Sequence, residues 1–268
     1  MPPLFASGDA PSYERLMGRW SRRLAAPFLD FAAIGTPAAI LDVGCGTGSL
    51  TLALAEAVPG AHITGIDVSP AFVDYARSRT SDRRLKFEQG DAVALPYADQ
   101  AFDATLSLLV LNFIPAAPRA IREMVRVTRP GGVAAAAVWD FRGGLPHQRV
   151  FLDTAAAIDS RRGDELRAKV LATPLIGPGE LAAAWREAGL RRVEQTELAI
   201  RLEFQSFADY WEPWTGGAGT VAPYIASLDQ ATKASIVDHL RRAYLAGGED
   251  GPRSFAAIAW AVRGIAES

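Results

Sequence analysis

The sequence has little of several things, and each shortage narrows its class. It carries one cysteine, three methionines and three histidines in 268 residues. A lone cysteine builds neither an internal disulfide framework nor a zinc knuckle of cysteines, and it fits a reducing compartment. Basic and acidic residues nearly balance, 28 against 30, for a formal net charge of −2. No global field therefore draws the chain to nucleic acid. No apolar run approaches the roughly 20 residues that cross a bilayer. The opening MPPLFASGDAPSYERLMGRW has no basic segment followed by an apolar one, so no secretory signal is expected and a cytoplasmic location is. Internal repeats and low-complexity tails are absent. What remains is the composition of a globular protein, 49% hydrophobic and 22% charged. Its length allows one large domain or two small ones and buries most of the surface the unfolded chain exposes.

The first ten or so residues, rich in Pro, Gly, Ala and Ser, read as frayed. YERLMGRWSRRLAAPFLDFAAIG then reads as one or two amphipathic helices, with Leu16, Trp20, Leu24 and Phe28 at helical spacing and Gly35 and Pro37 as the stop. From residue 38 to 140 short apolar strands alternate with helices. The expected strands are AAILDV, HITGIDV, LKFEQGD, FDATLSLLVL and VAAAAVWD. Between them lie the helices SLTLALAEAV, SPAFVDYARSR (Ser69 as cap, Pro70 first in the helix) and APRAIREMVRVTRPGG. Such alternation predicts an α/β fold, a parallel sheet covered on both faces. After Asp140 the rhythm breaks. ELAAAWREAGL is a helix, RRVEQTELAIRLEF a long strand, ATKASIVDHLRRAYL a helix and SFAAIAWAVRG a closing strand. Residues 141–180 and 205–250 read as insertions covering one sheet edge within a single domain over 1–268, with 12–34 as an N-terminal helical cover.

The stretch ILDVGCGTGSL places Gly44, Gly46 and Gly48 directly after the first strand. Glycine loses more backbone freedom on folding than any other residue, so three of them need a reason. In an open parallel sheet ligands bind beyond the carboxyl ends of the strands. A glycine loop there lets the backbone approach a ligand, and the next helix presents unpaired N–H groups. A dinucleotide site spaces its glycines G-x-G-x-x-G; here the pattern is G-x-G-x-G, preceded by Asp42. Asp67, at the end of the second strand, is placed to accept hydrogen bonds from two ribose hydroxyls. At the end of the third, Gly90, Asp91 and Ala92 are placed to read an adenine edge.

The ordered set LDVGCGTG, GIDVS, GDAVALPYADQAFDATLSLLVLNFI and REMVRVTRPGG resembles the class I S-adenosylmethionine-dependent methyltransferases. It is closest to their ubiquinone/menaquinone-biosynthesis branch, and it covers residues 38 to 140. The resemblance implies a Rossmann-like sheet of seven strands, the last antiparallel, with S-adenosylmethionine as cofactor. By position, Asp42, Gly44, Cys45, Gly46 and Gly48 would line the methionine end of that cofactor. Asp67 would hold the ribose, Val68 pack on adenine, Gly90, Asp91 and Ala92 read it, and Leu108 approach the sulfonium. YERLMGRWSR resembles an N-terminal helix that folds over the cofactor in this branch, which makes Tyr13 and Arg19 candidates for its amino-acid end. Asn112 stands where many relatives have histidine.

Methyl transfer from a sulfonium is an in-line displacement that asks chiefly for alignment and exclusion of water. A general base is needed only when the acceptor loses a proton, and no catalytic residue is assigned; His147 and Asp140 are the two candidates. No metal is expected. The aromatic segment with Phe207, Tyr210, Trp211 and Trp214, backed by Gly216, Gly217 and Gly219, reads either as a lid over the acceptor or as core. With Trp211, Trp214 and His147 taken as acceptor-binding, the expected acceptor is small and apolar or aromatic. Three other readings stand beside it. A nicotinamide-dependent oxidoreductase is disfavoured by the glycine spacing and by Gly90-Asp91. A non-catalytic S-adenosylmethionine-binding protein would need the same residues. A protein or RNA methyltransferase is disfavoured by the charge balance and by LLVLNF in place of an Asn-Pro-Pro-Tyr motif.

Overall fold

A computed structural model describes residues 9–267. The start expected to be frayed spans the first ten or so residues; residues 1–8 lie outside the described ones, and Asp9 and Ala10 depart from that expectation by opening a capped helix. The Asp9 carboxylate accepts from the Ser12 N–H at 2.6 Å and starts helix α1, Ala10–Tyr13. A π-turn over Glu14–Gly18 follows, then α2, Arg19–Ala32. The helix ends before the expected Gly35, because Ala33 turns left-handed with φ 48°.

The strands are β1 (Ala39–Val43), β2 (His62–Asp67), β3 (Leu85–Gln89), β4 (Phe102–Leu108), β5 (Thr128–Trp139), β6 (Arg191–Phe204) and β7 (Arg253–Ile265). The helices after α2 are α3 (Ser49–Ala57), α4 (Pro70–Ser78), α5 (Ala117–Val127), α6 (Pro146–Ile158), α7 (Ser160–Leu171) and α8 (Glu180–Glu187). Then come α9 (Phe207–Trp211), α10 (Ala222–Ala226) and α11 (Gln230–Leu245). The seven strands form one sheet in the order β3-β2-β1-β4-β5-β7-β6. Strands β3 to β5 of that row pair in parallel. β7 runs antiparallel to β5: Gly131 and Gly132 exchange bonds with Ala266 at one end, while Asp140 bonds Ile258 at the other.

Two expected boundaries moved, each for a local reason. The helix expected to reach Pro130 ends at Val127, where the Thr128 hydroxyl donates to the Met124 carbonyl at 2.6 Å. The Arg-Pro-Gly-Gly run is then drawn into β5 by its pairing with the end of β7. The fourth strand stops at Leu108 because Leu109 adopts φ 65°. That left-handed backbone cannot continue a strand.

The chain divides into two compact units. One holds Gly18–Val138, Pro174–Leu198 and the chain from Ala259 onward. Its sheet packs against α5, whose buried side is Ala117, Ala120, Ile121, Met124 and Val127, the spacing of one helix face. On the same core lies Trp185, fully buried, its Nε1–H donating to the Ala134 carbonyl at 3.0 Å. Ala134 to Ala137 are wholly buried in β5, where their small side chains let neighbours approach closely.

The other unit, residues 9–17 with Trp139–Thr173 and Ala199–Ile258, is built on aromatic packing. Phe151 stacks on Trp214 at 5.6 Å and 11°. Tyr210 lies 5.5 Å edge-on to Phe204 and 5.6 Å over Tyr244. The Trp139 indole N–H points at the Met17 sulfur, 3.3 Å away. Among the described residues, no helix is long and apolar enough to cross a membrane.

Candidate functional site

The strand order reverses between β1 and β4, and that switch point is where open α/β sheets bind ligands. The loop leaving β1 carries the three glycines, at φ 75°, 53° and 87° for Gly44, Gly46 and Gly48. All lie in the left-handed region that side-chain-bearing residues avoid. At Gly44 space forbids a side chain as well: a Cβ there would sit 2.5 Å from Val110 Cγ1 and 2.9 Å from Val110 Cβ.

The loop is tied to the next strand. The N–H groups of Gly44 and Cys45 donate to the Ile66 carbonyl at 2.7 and 3.0 Å. Gly46 N–H donates to Asp67 Oδ2 at 2.9 Å, and Ser69 N–H donates to Asp67 Oδ1 at 2.9 Å. A carboxylate offers about four acceptor sites, so Asp67 keeps capacity for further donors. Burial raises its pKa, against the backbone bonds that lower it.

Asp42 is 1% exposed and stands behind the loop. Its Oδ2 accepts from the Thr51 hydroxyl at 2.6 Å, and its Oδ1 has no hydrogen-bond partner among the described residues. Burial pushes its pKa up to about 7; Thr51 opposes the shift and the nearby Asp67 adds to it. Gly65 in β2 fits because Cys45 and Thr51 crowd it: a Cβ would meet Cys45 Cβ and Thr51 Oγ1, each at 2.9 Å. Cys45 itself is buried, and that burial holds its thiol well above the ordinary pKa, with Asp42 and Asp67 reinforcing the effect.

Beyond Asp67, Val68 is 68% exposed, the one large apolar side chain among the described residues to stand so open. Gly90 N–H donates to the Asp67 carbonyl at 2.9 Å, which draws the end of β3 to the end of β2. Asp91 is exposed and its Oδ1 accepts from the Val93 N–H; Ala92 is half-buried. Leu108 is buried at the end of β4. The structure thus gathers Asp42, Gly44, Cys45, Gly46, Gly48, Asp67, Val68, Gly90 and Asp91 at the carboxyl ends of β1 to β3.

The remaining candidates are carried by other elements. Arg19, at the start of α2, spreads its guanidinium over the Trp20 ring at 4.3 Å. Tyr13 closes α1 in the other unit. In that unit His147 is buried, 5.8 Å from Trp214 and 6.0 Å from Phe204, with its carbonyl accepting from the Tyr210 hydroxyl. Trp211 and Trp214 are buried as well, both against Phe151. Asp140 Oδ1 accepts from the Arg142 and Gly143 N–H groups and shapes its own turn. Sequence reasoning missed Thr51 on Asp42, Val110 over Gly44, and Phe151 at the centre of the rings. Only Phe151 had a signal, its place on the apolar side of a helical stretch.

Comparison with known proteins gives the family. The model of a methyltransferase domain matches residues 41–136. A demethylmenaquinone methyltransferase of Thermus thermophilus is 41% identical over 117 residues, 42% of this chain and 51% of that protein. The match thus spans about half the length of that relative. A trans-aconitate 2-methyltransferase of Deinococcus radiodurans is 32% identical over 209 residues, 76% of this chain and 77% of the relative. A Haemonchus contortus phosphoethanolamine N-methyltransferase, solved in complex with S-adenosylmethionine, shares the fold. Its TM-score is 0.60 at 15% identity, covering 97% of this chain and 57% of that one. The chain belongs to the S-adenosylmethionine-dependent methyltransferases.

Proposed function

We propose that this chain transfers a methyl group from S-adenosylmethionine to a small, uncharged acceptor with an apolar or aromatic body. One observation carries the first half: three left-handed glycines whose middle N–H is held by the carboxylate that ends the next strand. The residues fit the cofactor. The unpartnered, buried Asp42 Oδ1 matches an ammonium donor, and the open Val68 matches the face of a flat base.

When bound, the cofactor supplies an activated methyl on a positively charged sulfur. The protein's part is to hold and align. Asp67 would accept from the ribose hydroxyls with the lone pairs that Gly46 and Ser69 leave free. Gly90, Asp91 and Ala92 would read the adenine edge. Asp42 and the loop from Gly44 to Gly48 would receive the methionine end, with Arg19 of the same unit as a further candidate there. Leu108 would exclude water near the sulfonium. Positioning of this kind lowers a barrier by roughly 7–11 kcal/mol. A proton leaves only if the acceptor atom carries one, and His147 or Asp140 would then be the base.

Trp211, Trp214 and His147 are our candidates for contact with the acceptor. Charge supports an uncharged one. No lysine or arginine is buried among the described residues. Arg149, Arg162, Arg167, Arg241 and Arg242 each meet an aspartate of their own unit. The breadth of the match to the trans-aconitate enzyme favours a second reading, a carboxylate acceptor.

Calorimetry with S-adenosylmethionine, S-adenosylhomocysteine and NAD tests the cofactor; tight binding of NAD alone would overturn the reading. Methyl-labelled cofactor offered with reduced demethylmenaquinone, trans-aconitate or fractionated cell extract tests the acceptor. Label in trans-aconitate would overturn the uncharged class and leave methyl transfer standing.

A further inference from the structure

The glycine loop has few side chains with which to hold itself, yet its backbone must keep three unusual conformations. Its anchors are therefore informative. On the inner side, Gly46 N–H is held by Asp67, a residue we assign to the ribose. On the outer side, the Arg79 guanidinium donates through Nη1 to the Thr47 carbonyl at 2.8 Å. Thr47 lies between Gly46 and Gly48 and is 1% exposed. The Thr47 carbonyl and the Gly48 N–H share one rigid peptide plane, and that N–H closes the turn on the Cys45 carbonyl at 2.8 Å. Arg79 thus fixes the plane on which the turn's geometry depends.

The support behind Arg79 is firm. It caps α4, its own N–H donating to the Ala76 carbonyl at 3.1 Å. Ala76 and Val73 of that helix pack with Phe87 around Cys45 of the loop. A Cβ at Gly48 would lie 3.3 Å from Ala76 and from Phe87. The same helix starts at Pro70, three residues past Asp67. α4 is therefore a strut with the turn after Asp67 just before its first residue and the loop anchor, Arg79, just after its last.

We propose that Arg79 is a positioning residue that presets the glycine loop for the amino-acid end of the cofactor. This rests on the reading of S-adenosylmethionine as the ligand. A loop held in its bound shape loses less freedom on binding, and the gain appears as affinity. Bonds from a charged donor to a carbonyl are the stronger kind.

Calorimetry with two ligands separates this role from general damage. S-adenosylhomocysteine has the nucleoside and the amino-acid arm; 5′-methylthioadenosine has the nucleoside and no arm. Arg79→Ala should bind S-adenosylhomocysteine about tenfold more weakly, equal to 1.4 kcal/mol, while 5′-methylthioadenosine changes less than about twofold. Arg79→Lys, which keeps a charged donor, should recover part of the loss and also serves if the alanine variant does not fold. Arg77→Ala is the control, since Arg77 sits on α4 but donates to the Phe87 carbonyl at 2.7 and 3.1 Å. It should not separate the two ligands. Equal weakening of both ligands in Arg79→Ala, or wild-type affinity for both, overturns the proposal. Wild-type protein that binds neither ligand overturns the cofactor reading, and this inference with it.

Discussion

The glycine loop and the aromatic unit are held together in opposite ways. The loop works through backbone: three left-handed glycines, N–H groups aimed at Ile66 and Asp67, and one arginine on a carbonyl. The aromatic unit works through side chains. Phe151, Trp211, Trp214, Tyr210 and Tyr244 are stacked, tilted or set edge-on against one another. A backbone cradle suits a ligand that does not change, because backbone geometry cannot be retuned by single substitutions. A ring cluster can be reshaped one residue at a time, which suits a ligand that varies from relative to relative.

The sharpest way to break the comparison is at Gly44. Gly44→Ala adds left-handed strain of about 1–3 kcal/mol and overpacking of about 1–3 kcal/mol against a valine whose Cβ cannot rotate away. S-adenosylmethionine affinity should fall about 100-fold or more by calorimetry. Wild-type affinity in this variant would mean that the loop is no cradle.

Next in size is the aromatic unit. Phe151 is fully buried, so Phe151→Ala should cost about 3–5 kcal/mol in denaturant unfolding, with cofactor affinity of the folded protein unchanged. Trp214→Ala sharpens the contrast. A large loss of stability makes this ring core; an unchanged melting temperature with impaired acceptor turnover makes it a substrate wall.

Third is pH. In the folded protein Asp42 holds its proton up to about 7, against 3.8 ordinarily. The native state therefore binds the proton more tightly than the unfolded one, and stability falls as pH rises from about 4 to about 7. Burial shifts Asp67 in the same direction. The swing is on the order of a few kcal/mol, and Asp42→Asn should flatten it in a series of melting temperatures against pH. A slope unchanged by that substitution would remove Asp42 as its source.

The smallest effect is at Cys45, buried and poorly ionised. Iodoacetamide at pH 8 should modify the folded protein far more slowly than the unfolded chain, since only the thiolate reacts. Rapid labelling of the native protein would contradict the buried placement.

The two regions also differ in how far their sequence could be read. The loop was legible because its constraint is local: Gly44, Gly46 and Gly48 must be glycine for backbone reasons, and Asp67 ends the neighbouring strand. Strand β6 was placed at Arg191–Phe204 from its residue types alone, and the Ser69–Pro70 start of α4 from capping chemistry. What escaped was set by distant partners. Leu109 turns left-handed beside a 3₁₀ turn that no residue type announces. The Arg-Pro-Gly-Gly run joins a strand because β7 lies beside it. Arg79 on Thr47 spans 32 positions of chain. The aromatic segment showed its composition but not its packing, because ring contacts such as Phe151 on Trp214 depend on how far-separated helices meet.

The bare position at Gly65 has a consequence for anyone who wishes to retool this protein. Its hydrogen atom faces the Cys45 Cβ and the Thr51 hydroxyl, and that hydroxyl is bonded to Asp42. Four positions, one each on β1, the glycine loop, α3 and β2, are thus interlocked, and randomising any one alone should yield mostly inactive clones. A library meant to reshape the ligand preference of this fold should leave that quartet untouched, or vary all four together.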